Sequence, residues 1–327
     1  MKSGLRATRH LFPLLGAALA LVACSSGETV NPHDGASSST GAGGDGDGGG
    51  GSDGVGGGGG DGGAGGNGGG GDGTTAVELQ FEGRVGDEVF SCSETYTAGL
   101  AATEVRLTDF RLYIHDVRLR RADGEEVPVA LDQDGLWQYQ NVALLDFEDK
   151  SGSCDNGTQQ TNGLVRGKVP AGEYDGLSFK LGVPFELNHG DASVAESPLN
   201  LAGLFWGWNA GYKFLRSDSV SVEGEVPFIL HIGSTGCIPG ENGGVSACDR
   251  PNVAEVVLTG IDPLATKVLV DYAALVQDSD LGANTGGQPG CMSDPADEDC
   301  PPLFIRLGID PDDGSARPDQ QAFFRVE

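Results

Sequence analysis

The chain has 327 residues, 56 of them glycine, and a formal net charge of -28. So acidic a surface is repelled by phosphate backbones and anionic headgroups, and the chain has no basic patch to offset that. Nucleic acid is therefore excluded as a partner class.

Lys2, Arg6 and Arg9 precede an apolar run over residues 11–22, which ends in Leu21-Val22-Ala23-Cys24. A basic start, a short apolar stretch and small residues before a cysteine make a lipoprotein signal peptide. The run is too short for a spanning helix, which needs roughly twenty residues. The expectation is a signal peptide over residues 1–23 and lipidation of Cys24, anchoring the protein to a membrane of the bacterial cell envelope. Ser25 and Ser26 follow the cysteine, which favours the outer membrane, on either its periplasmic or its surface face.

Residues 24–75 are Gly, Ser, Asp and Asn with almost nothing to bury, and are expected to form a disordered tether. A coil of that length spans roughly 40 Å. Residues 76–327 are left as one domain, in the size range of a large β fold.

Beyond Cys24 the cysteines are Cys92, Cys154, Cys237, Cys248, Cys291 and Cys300. An even number outside the cytoplasm suggests three disulfides. Close spacing favours Cys237 with Cys248 and Cys291 with Cys300, which leaves Cys92 with Cys154; other pairings stay open. No Cys-x-x-Cys occurs, which argues against zinc ribbons and covalent haem.

In chain order, Val77, Leu79 and Phe81 alternate with polar residues as a half-buried strand does. Val105 and Leu107 start another strand whose phase slips at Thr108 and Asp109 before Phe110, Leu112 and Ile114, which predicts a bulge. Val117 and Leu119 lead through Ala122-Asp123-Gly124 to Val127 and Val129, a hairpin. Strands are also predicted around residues 174–183, 228–232, 253–258 and 268–272. Leu201, Leu204, Phe205, Trp208 and Tyr212 follow a spacing of three and four, which predicts a short helix within residues 197–214. Many short strands with Gly- and Pro-rich turns give the fold class: all-β, a single β-sandwich-like domain with long loops and disulfides.

Within this domain the histidines are His115, His189 and His231. Between the last two lies Leu204-Phe205-Trp206-Gly207-Trp208, which holds two of the three tryptophans. Three unrelated histidines and an aromatic core block would explain the pattern without any site. The domain has no Gly-x-Ser-x-Gly, His-Glu-x-x-His or phosphate loop, so a binding protein is expected rather than an enzyme.

The blocks Phe110-Arg111-Leu112-Tyr113-Ile114, Val183-Pro184-Phe185-Glu186-Leu187-Asn188-His189, Pro198-Leu199-Asn200, Phe205-Trp206-Gly207-Trp208, Gly211-Tyr212-Lys213-Phe214 and His231-Ile232-Gly233-Ser234-Thr235-Gly236-Cys237 occur in this order. Together they resemble the MbnP family, the metallo-mystery-pair proteins with a four-cysteine motif. The resemblance implies an envelope Cu(I)-binding protein working beside a dihaem, peroxidase-like partner of the MbnH type, which oxidises a tryptophan to kynurenine, with copper held by histidines together with that kynurenine. Carried onto this chain, the copper ligands would be His189 and His231, with His115 as a third candidate. The modified residue would be Trp206 or Trp208, with Trp206 favoured. Imidazole suits copper, and Met292 is the only methionine left beyond the signal peptide. The competing reading is a non-metal β-sandwich lipoprotein for adhesion or glycan binding, with the aromatic block as a stacking platform.

Overall fold

The computed structural model describes residues 73–241 and 243–327. The expected signal peptide, Cys24 and the tether up to residue 72 lie outside the described residues. No described helix is long and apolar enough to cross a membrane.

Two sheets form the domain. In the smaller, the strand Thr74–Val85 sits between Leu164–Pro170, antiparallel, and Lys267–Asp271, parallel, with Phe324–Val326 and Ala130–Leu131 at the edges. The larger runs through Ala254–Thr259, Gly176–Leu181, Arg111–Arg120, Leu215–Arg216, Pro227–Ile232, Ser219–Ser221, Thr103–Leu107 and Tyr96–Ala98. Their facing sides share one core: Leu79, Phe81, Val165 and Val270 from the smaller sheet meet Leu112, Ile114, Phe179, Leu230 and Val256 from the larger. Phe179 bridges the layers by edge-to-face contact with Phe81 at 5.6 Å and Phe324 at 5.0 Å, a favoured ring geometry. The predicted sandwich is therefore present. So are the hairpin pairing Arg118 with Pro128 and all three disulfides in the pairings that spacing favoured.

A second core covers the outer face of the larger sheet. Side chains alternate along a strand, so on Arg111–Arg120 Leu112 and Ile114 enter the sandwich while Tyr113 faces outward, and on Val142–Asp146 Ala143 and Leu145 point in while Val142 and Leu144 point out. The outward set packs against Val183, Ala192, Leu199, Leu204, Tyr212 and Phe214. The segment over residues 184–214 is thus a lid on the sheet, held by the Tyr113 hydroxyl donating to the Pro198 carbonyl at 2.8 Å and by the Tyr113–Tyr212 ring contact at 5.7 Å.

Two sequence expectations fail. Residues 197–214 form no α-helix: after one 3-10 turn at Ala202–Leu204 the chain makes a hairpin of Phe205–Gly207 and Gly211–Tyr212. Gly211 takes φ 79°, a conformation that suits a turn and breaks a helix. The slip at Thr108 and Asp109 is a strand break, since Thr103–Leu107 and Arg111–Arg120 pair with different neighbours. Asp109 is fully buried there and turns the chain toward two guanidinium groups.

Candidate functional site

Register builds the site. His231 stands opposite Arg216, Arg216 opposite Arg111, and Arg111 opposite Asp146, so the four form one row across adjacent strands on the lid side of the sheet. Carboxylates tie the row together. Asp109 accepts from Arg111 Nε at 2.8 Å and pairs with Arg216 Nε at 3.0 Å, and Arg216 Nε also reaches Asp218 at 2.8 Å. Asp218 then meets His231 Nε2 at 3.0 Å. Burial raises the Asp218 pKa, but the hydrogen bond and charge of His231, together with Arg216, outweigh it and hold the carboxyl below its usual value. An ionised carboxylate can only accept, so His231 Nε2 carries the proton and donates. His231 Nδ1 is buried and has no hydrogen-bond partner. Beside it lies Trp206, ring centroids 6.3 Å apart.

Trp206 is seated by a glycine. A Cβ at position 233 would come within 2.5 Å of Trp206 Cζ3 and of the Tyr212 carbonyl oxygen, so only a bare backbone lets the indole reach the strand end. The Ser293 hydroxyl accepts from Gly233 N and donates to the His231 carbonyl, which fixes that end.

His189 closes the short helix Phe185–Asn188. Its Nδ1 faces the Trp208 carbonyl at 3.0 Å and must donate, which frees Nε2 as an acceptor. The Asn188 amide nitrogen at 3.2 Å and Cys248 Sγ at 3.4 Å lie against Nε2. Burial lowers the His189 pKa, with the Trp208 carbonyl opposing it, and so favours neutral imidazole, the form that binds metals. Trp208 contributes this carbonyl while the residue as a whole is 49% exposed.

No hydrogen bond or ring contact joins His189 and His231 among the described residues. Asn188 links the halves: its amide reaches Ser234 Oγ, three residues beyond His231, and its oxygen accepts from Tyr212 N. His115 is also buried on the lid side, but its Nδ1 is bound to the Gly182 carbonyl at 2.9 Å and its charged neighbours are Lys180, Asp116 and Glu186. It touches neither of the other histidines.

Asp109, Asp218 and Arg216 escaped the sequence reading. A chain with 48 acidic residues offers no way to single out two buried ones. The one available signal was Arg111, a cation set directly before the apolar run Leu112-Tyr113-Ile114.

Asp146 ends the row with a testable property. It is 1% exposed, its Oδ1 has no partner, and burial pushes it up to about 8, with Arg111 pulling down and Glu148 and Asp109 pushing up. The folded state therefore holds a proton that the unfolded chain, near 3.8, releases. The resulting stabilisation is complete below the unfolded value and is lost as pH rises to the folded one. Asp146→Asn should gain stability relative to wild type over that interval, on the order of a few kcal/mol. Thermal melts at the two pH limits check this, and a difference between variant and wild type that stays flat with pH contradicts it.

The family model for MbnP matches residues 74–293. Among solved structures the chain is similar to MbnP from Methylosinus trichosporium, with 31% identity and a TM-score of 0.70 over 77% of this chain and 98% of that one. No curated protein is similar enough to match.

Proposed function

The chain belongs to the MbnP family, and from that premise we propose that it is a Cu(I)-binding protein of the bacterial envelope, lipid-anchored through Cys24, and not an enzyme. His189 and His231 are the protein ligands, through Nε2 and Nδ1 respectively. The family relation points to a methanobactin-associated copper setting.

One observation carries the reading. On each histidine, one ring nitrogen is tied to an acceptor, Asp218 for His231 and the Trp208 carbonyl for His189. The other faces no such acceptor: His231 Nδ1 is buried without a partner, and His189 Nε2 lies against the Asn188 amide nitrogen and Cys248 Sγ. This is the outer-shell arrangement that fixes tautomer and ring orientation in metal-ligating histidines. The unpartnered buried Nδ1 of His231 would be an unsatisfied polar atom in a structural histidine, and as a ligand atom it is accounted for. Bound copper would supply a soft Lewis-acid centre that imidazole nitrogen suits.

Trp206 is the residue we assign to oxidation by a dihaem MbnH-type partner, because its ring lies against His231 and Gly233, whereas Trp208 reaches His189 only through its backbone. Conversion to kynurenine cleaves the indole C2–C3 bond, with peroxide as oxidant at the partner's peroxidase-like haems, and hydrolysis then releases C2 as formate, a net gain of one oxygen and loss of one carbon. Peptide mass mapping of the protein co-produced with the partner should find this change at residue 206. Finding it at residue 208, or at neither, contradicts the assignment.

A further inference from the structure

We propose that reduction of the Cys237–Cys248 disulfide creates a second Cu(I) site, in which the two thiolates and His189 Nε2 form a three-coordinate sulfur and nitrogen set. It needs neither His231 nor a modified tryptophan, and so goes beyond the reading above while sharing one ligand with it.

Three observations meet here. The strands Thr235–Pro239 and Val245–Arg250 form a two-stranded hairpin apart from both main sheets, with Cys237 directly opposite Cys248. Second, one donor atom from each of His189, Cys237 and Cys248 lies within 4.8 Å of the other two, and His189 Nε2 is 3.4 Å from Cys248 Sγ, with the Asn188 amide nitrogen at 3.2 Å as the contact a metal would displace. Third, access differs among the disulfides. Cys92, Cys154, Cys291 and Cys300 are each at most 2% exposed, while Cys237 and Cys248 are only partly buried on the hairpin. Exchange requires a thiolate to reach a sulfur, so a dithiol can attack the hairpin bond and leave the other two intact.

The chemistry balances. A dithiol reductant, small molecule or protein, gives two electrons to the S–S bond and becomes a disulfide, leaving two thiols on the hairpin. Binding Cu(I) displaces both thiol protons, and copper stays in the +1 state. Soft thiolates with one imidazole are a ligand set that Cu(I) favours. Because His189 Nε2 has a single lone pair, this site and the His189–His231 site compete for it.

The test uses the full chain, treated anaerobically with dithiothreitol, desalted, and titrated with Co(II) as a spectroscopic probe and with Cu(I) as its acetonitrile complex. Two thiols, not six, should become titratable. The reduced protein should then show thiolate-to-cobalt charge-transfer absorption with Co(II) and thiolate-to-Cu(I) ultraviolet absorption with Cu(I), both absent from the untreated protein of the same sequence. His231→Ala should retain both signals, which separates this site from the one proposed above. His189→Ala should weaken binding at the reduced site by roughly ten-fold or more. Release of all six thiols, absence of the charge-transfer band after reduction, or an unchanged signal in Cys237→Ser/Cys248→Ser would overturn the proposal. The oxidised wild-type protein supplies the folded control if that double variant fails to fold.

Discussion

His231→Ala should lower the Cu(I) affinity of the protein by on the order of a hundred-fold or more, since it deletes a ligand whose geometry is held by a second residue. Asp218→Asn should lower it by roughly ten- to a hundred-fold, because an amide in place of the carboxylate no longer fixes the proton on Nε2. His115→Ala should leave it near the wild-type value, as the His115 ring is committed to the Gly182 carbonyl. The fold should survive His231→Ala: Asp218 keeps Arg216 Nε at 2.8 Å and the Leu230 amide at 3.1 Å, so no buried charge is stranded. Competition titrations against a Cu(I) chelator, with circular dichroism as the folding control, separate these outcomes. Equal affinities for wild type and His231→Ala would remove His231 from the site.

Phe110→Ala should cost about 3–5 kcal/mol of stability, the range for removing a fully buried phenylalanine. Phe110 is 0% exposed and sits where the strand breaks after Asp109. Its ring meets Phe90 at 5.4 Å, Phe147 at 5.2 Å, Phe323 at 6.3 Å and Tyr272 at 6.4 Å. These neighbours come from distant parts of the chain, and their own contacts limit how far the cavity can collapse. Total stabilities are about 5–15 kcal/mol, so the loss is a large fraction of the whole. Urea unfolding with the disulfides intact measures it, and a loss below about 1 kcal/mol would mean that the ring cluster is not a packing centre.

How legible the fold was depended on what covers each strand. Val77, Leu79 and Phe81 are buried between exposed or part-exposed residues, and their alternation announces a strand. On Val142–Asp146 every residue is buried because the lid covers the far face, so the period of two vanishes from the sequence. The misread helix has a related cause. Leu204 packs into the lid core from the 3-10 turn and Phe205 and Tyr212 from the hairpin that follows, and their spacing imitates a helical stripe while the glycines between them turn the chain back. Pairing of the cysteines was legible from spacing. The site was legible only in part: His189, His231 and the two tryptophans were named through the family resemblance, whereas Asp218 and Arg216 join the row through strand register, which composition does not carry.

Copper-edge anomalous diffraction from crystals of the Cu(I)-loaded protein, co-produced with its dihaem partner, addresses the central claim directly. It should place one copper between His231 Nδ1 and His189 Nε2, against the ring of residue 206. Copper found only at surface carboxylates, or at a site that omits His231, would contradict the account.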